Sequence, residues 1–67
     1  MLALLRAVDR KRNVVGIKEI EFGNKKQRMM QAKAFGRNVR AFKVYISWAT
    51  GMEIYTPSEH CFERINR

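Results

Sequence analysis

The sequence predicts a small α+β domain of order ββαββα, an antiparallel sheet of about four strands with one or two short helices. Three observations carry that prediction. Residues 40–56 alternate with period two, as half-buried strands do. Thr56-Pro57-Ser58-Glu59 has the form of a capping box. Between Asn24 and Gly36 runs a stretch of good helix formers with no β-branched residue.

In chain order, Leu2 to Val8 is placed as a strand because the Asp9-Arg10-Lys11-Arg12-Asn13 loop after it leads into another β-rich run; a helix is the other reading of those residues. Val14 to Phe22 has strand content, and its alternation slips near Lys18-Glu19, the mark of a bulge. Asn24 offers an N-cap with Gln27 at N3, and Gly36 stands where a C′ residue belongs, so Lys25 to Phe35 is read as helix. Met29, Ala32 and Phe35 make one weak apolar line, and Met29 and Met30 are expected in the core. The alternative keeps Gln27 to Phe35 as a strand, with Met30, Ala32 and Ala34 alternating. It gives a small all-β barrel with a C-terminal helix.

In the hairpin, Phe42, Val44, Ile46 and Trp48 share one side, and Met52, Ile54 and Thr56 alternate likewise. A three-residue Ala49-Thr50-Gly51 loop keeps both sets on one face. It pairs Trp48 with Met52, Ile46 with Ile54 and Val44 with Thr56, and places Gly51 at the left-handed position. A helix from about Pro57 to Asn66 is expected next, with Cys61, Phe62 and Ile65 inward and docked on the sheet, since so short a helix does not hold alone.

Sixty-seven residues make one domain, 1–67, with 46% hydrophobic and 30% charged residues, a globular balance. The single cysteine, Cys61, excludes an internal disulfide, and with one histidine there is no ligand set for a structural zinc. The apolar opening Met1–Leu5, broken by Arg6, is too short for a secretory core or a bilayer span. A reducing cytoplasm, bacterial or viral, and no membrane partner are the expectation.

The net charge of +8 makes a polyanionic partner the first candidate. Twelve of the 14 Lys and Arg lie between Arg6 and Lys43, against three acids there, and none lies between Val44 and Glu63. Three clusters stand out: Arg10-Lys11-Arg12, Lys25-Lys26-Arg28 and Arg37-Arg40-Lys43, with Lys33 on the predicted helix. Lys25 and Lys26 near a helix N-terminus oppose its dipole, a placement that suits a ligand better than stability. The predicted hairpin register also sets Tyr45 opposite Tyr55 on the face away from Trp48. That is hardware for stacking unpaired bases, or a cross-strand pair that only stabilises the sheet. These twelve residues are the candidate nucleic-acid contacts.

Catalytic groups are sparse. His60 and Cys61 diverge if they are neighbours on a helix, Glu59 and Glu63 lack a third partner, Asp9 sits in a basic loop, and no Gly-rich phosphate loop occurs. No enzyme, cofactor or metal is expected. Leu5-Arg6-Ala7-Val8-Asp9-Arg10-Lys11 followed by Ile17-Lys18-Glu19-Ile20-Glu21-Phe22 resembles the start of phage YopX-type proteins. It covers under a third of the chain and lacks the aromatic expected between Ala7 and Asp9, and no function follows from it. The expectation is a small basic binding module for DNA or RNA. The alternative is a protein-binding inhibitor or adaptor of phage or mobile-element type that docks on an acidic host surface, with a homodimer through a sheet edge as a further partner.

Overall fold

Alternation in the first strand already divides the molecule into a covered and an open side: Ala3, Leu5 and Ala7 are buried, while Leu2, Leu4 and Arg6 are exposed. A computed structural model describes residues 1–65. It contains β1 (Leu2–Val8), β2 (Val14–Glu21), α1 (Lys25–Asn38), β3 (Lys43–Trp48), β4 (Gly51–Thr56), a single 3-10 turn (Pro57–Glu59) and β5 (Cys61–Ile65). The strands form one open, wholly antiparallel sheet in the order β2-β1-β3-β4-β5. The arrangement is α+β, and with β2 and β5 as free edges it is not a barrel. Because β2 and β3 both flank β1 antiparallel to it, they run the same way, and α1 is the crossover between them.

The helix forms for the reasons legible in its ends. Asn24 Oδ1 accepts from the Gln27 amide at 2.9 Å, and Gln27 Oε1 accepts from the Gly23 amide at 2.7 Å. It runs three residues beyond Phe35, to Asn38, because Gly36 does not stop it. Gly36 is buried against β3, where a Cβ would lie 3.0 Å from Val44 Cγ2, so the missing side chain lets helix and sheet approach. The stop falls at Arg40, left-handed at φ 53, with the Ala41 amide donating to the Gly36 carbonyl at 2.9 Å. Ala32 and Phe35 reach the core, which is centred on the fully buried Leu5, Val44 and Ile46. Met29 is only half-buried and Met30 is exposed, so the core expected of them is not formed.

Three local expectations are corrected. The β-bulge lies where β1 meets the start of β2, between Ala7 and Val8, not at Lys18-Glu19. The β3–β4 loop has two residues, Ala49 and Thr50, and pairs Trp48 with Gly51, Ile46 with Glu53 and Val44 with Tyr55. Gly51 is therefore not left-handed. It is bare because a Cβ there would meet the Trp48 ring at 2.6 Å and Arg64 Nη2 at 2.9 Å. The register shifts by one residue because Glu53, a residue that reads as outward, has a buried partner on α1. Arg28 Nη2 and Nε donate to Glu53 Oε1 at 2.6 and 2.9 Å.

The third correction concerns the expected C-terminal helix. Thr56 makes no side-chain capping bond, and the chain turns once over Pro57–Glu59, passes through left-handed His60 (φ 50) and pairs as β5 along β4. Phe62 does point inward, stacked on Tyr55 at 4.5 Å between ring centroids. Cys61 is exposed, and Ile65 lies on the open face opposite Met52. The last predicted helical residue, Asn66, lies outside the described residues. Strand pairing wins because the free β4 edge supplies backbone partners along the whole of Cys61–Ile65, whereas so short a helix is marginal.

Candidate nucleic-acid interface

The twelve predicted contact residues separate into four groups. Arg28 and Tyr55 are not the exposed contacts expected: they are 6% and 4% exposed, on the covered side of the sheet. Arg28 is held by Glu53 and lies 4.0 Å from the Trp48 ring centroid, and Tyr55 is packed among core residues beneath α1. The Arg28 guanidinium is taken up by Glu53, whereas Tyr55 keeps one edge in the floor of a depression lined by Arg37 and Arg40. The one-residue register shift puts Tyr45 opposite Ile54, on the other face from Tyr55, so the expected tyrosine pair does not exist. Tyr45 instead has Arg6 over its ring at 5.3 Å, and Lys43 shares that open face.

Lys11 and Arg12 sit exposed at the tip of the β1–β2 turn. Asp9 builds this turn: its carboxylate accepts from the Lys11 and Asn13 amides at 2.8 and 2.9 Å, and Arg12 takes up a left-handed φ of 66. The hydrogen bond from the Asn13 amide, more than any other interaction, holds the Asp9 carboxyl below the ordinary aspartate range. The anion is thereby engaged by its own turn, within a basic surface.

The remaining six, Lys25, Lys26, Lys33, Arg37, Arg40 and Arg10, come together. Three shallow depressions on the helix side meet end to end. Lys25, Lys26, Met29, Met30 and Lys33 line the first. Lys33 is shared with the second, which continues along Arg37 and Arg40 with Pro57 and His60 opposite. Arg40 is shared with the third, where Arg10, Phe42 and Ser58 stand. Arg10 lies 4.7 Å from the Phe42 ring centroid, which ties the β1–β2 turn to the end of the strip. Helical spacing makes the line straight, since Lys26, Met30, Lys33 and Arg37 recur on the face of α1 turned from the sheet. A 14-residue helix is about 21 Å long, and the molecule's longest dimension is 30 Å.

Phe42, Ser58 and His60 also line the groove. Alternation alone sets Phe42 with the inward side of the hairpin and the capping box sets Ser58 and His60 on a helix; the tight Pro57–Glu59 turn, which no local periodicity encodes, brings Ser58 and His60 to the strip instead. Among the described residues, no cluster of three His, Cys, Asp or Glu could hold a metal ion, and no helix is long and apolar enough to cross a membrane. No protein-family model, curated protein or solved structure matches the chain.

Proposed function

We propose that this chain is a small basic binding module without enzymatic activity that takes DNA or RNA along the helix-side groove, in a bacterial or viral cytoplasm. The observation that carries the reading is the continuity of the groove: six cations from three sequence clusters form one strip joined through Lys33 and Arg40. A strip of up to 30 Å matches about nine base pairs of duplex at 3.4 Å each. With no paired tyrosines to stack bases, the contacts are to phosphates, and the binding is tolerant of sequence.

Fluorescence anisotropy with single- and double-stranded oligonucleotides tests this. If all six cations engage phosphates, log affinity falls against log salt with a slope of about −5 for duplex and about −4 for single strands. Arg37→Ala and Arg40→Ala each remove about one unit of that slope. Binding weaker than about 100 µM at 50 mM salt, or a slope unmoved by both variants, rejects the reading.

A second reading, an inhibitor or adaptor docking on an acidic surface of a host protein, is favoured by one feature. Met30, 60% exposed, interrupts the cations between Lys26 and Lys33 with an adaptable apolar contact. A stoichiometric protein partner that survives high salt in nuclease-treated lysate would favour it over the first.

A further inference from the structure

We propose that the uncovered face of the sheet is the contact surface of a homodimer, in which two copies stack face to face as a two-sheet sandwich with their helices outermost. Helix α1 covers only one face. Strand pairing puts Leu2, Leu4, Ile17, Met52, Ile54 and Ile65 on the other, where Leu2 is 56%, Leu4 45% and Ile17 63% exposed. An antiparallel sheet with one face in water carries polar residues there; here Leu2 and Leu4 on one side and Met52, Ile54 and Ile65 on the other flank a central Tyr45–Ser47 stripe, and exposed apolar patches of this kind mark a contact surface.

Charge identifies the occupant as a second copy. Two cations, Arg6 and Lys43, stand on this face against three carboxylates, Glu19, Glu21 and Glu63, a sum of −1 on a chain of +8. Everywhere else two copies would bring like charges together; here they meet nearly neutral. An acidic partner, by contrast, is drawn to the groove. The face also complements itself. Its two central rows are Glu19–Leu4–Ser47–Met52–Ile65 and Ile17–Arg6–Tyr45–Ile54–Glu63. A two-fold axis running across the strands lays one row on the other: Met52 meets the partner's Ile54 and Ser47 the partner's Tyr45, Leu4 and Ile17 lie against the partner's Arg6 and the partner's Glu19, and Glu19 is the diagonal neighbour of the partner's Arg6.

The area suffices. Strands about 4.8 Å apart and about six residues long give each copy about 480 Å² in plan, or about 1,000 Å² for the pair, the lower bound for a specific interface. The basic groove lies on the far side of each sheet and stays exposed, so the dimer stands or falls independently of the nucleic-acid reading.

Sedimentation equilibrium of the nuclease-treated 67-residue chain at about 100 µM decides it. The expected mass is twice the 7.9 kDa protomer. Leu4→Lys and Ile17→Glu, with circular dichroism unchanged, each weaken the dimer by about 100-fold or more, because they set like charges against the partner's Arg6 and the partner's Glu19. Ile17 is exposed enough that its variant keeps the fold should Leu4→Lys unfold. A monomeric wild type overturns the proposal, and so does a larger assembly. A dimer that survives these variants also overturns it, since β1 is an interior strand and an edge-to-edge pair would tolerate Leu4→Lys.

Discussion

Arg28→Met is expected to destabilise the fold severely, although Arg28 lies in a cluster that otherwise reads as solvated surface. In the structure the guanidinium and Glu53 form an ion pair with side chains 7% and 5% exposed, the charge lying over Trp48 at 4.0 Å and near Phe22 at 5.4 Å. Removing one member of such a pair strands the other charge and costs about 3–5 kcal/mol. At about 0.05–0.15 kcal/mol per residue, a 67-residue domain has about 3–10 kcal/mol in all, so the variant loses a large share or the whole of its stability. Urea unfolding followed by Trp48 fluorescence measures the loss through the midpoint at constant slope. Arg28→Met with Glu53→Leu together should return to within about 2 kcal/mol of wild type, since a well-packed apolar pair replaces a buried ionic one at little net cost. A cost below about 0.5 kcal/mol for Arg28→Met alone would refute the argument. That is the worth of an exposed pair, and it would mean that Glu53 faces water, as the three-residue hairpin loop requires.

Two further outcomes follow from the same geometry. Tyr55→Ala should cost about 3–5 kcal/mol in the same unfolding assay, because it empties a core site stacked on Phe62, whereas Tyr45→Ala, on the open face, should cost about 1 kcal/mol or less. Equal costs would restore the tyrosine pair. Asp9, whose carboxyl is held low mainly by the Asn13 amide, supports its turn above the ordinary aspartate pKa and loses that support as pH falls through its depressed value. A carboxyl titration by NMR should place Asp9 below a free aspartate, and Asp9→Ala should abolish the acid-dependent loosening of the Lys11 and Asn13 amides.

The local chemistry of this chain was legible wherever neighbours in sequence are the ones that matter. Asn24 and Gln27 predict the helix start because capping is a contact over three residues, and the alternation of Val44, Ile46 and Trp48 predicts a strand with the right inward set. The basic class of the surface is likewise written in the composition. What failed were decisions that depend on a distant partner. Glu53 is inward because Arg28, 25 residues away, neutralises it, and that one pairing moves the hairpin register and sends Tyr45 and Tyr55 to opposite faces. Thr56-Pro57-Ser58-Glu59 satisfies a helix start locally, yet the exposed edge of β4 captures the segment as β5.

By itself, then, the sequence determined an α+β domain with a capped central helix, an alternating hairpin and a strongly basic first two-thirds. Only the tertiary structure decided which cations meet, because Arg10, Arg40 and Lys25 become neighbours of one groove through the crossover of α1 over the sheet. It also decided that Arg28 is not among them, since burial beside a carboxylate depends on the depth of a side chain, which no periodicity along one segment records.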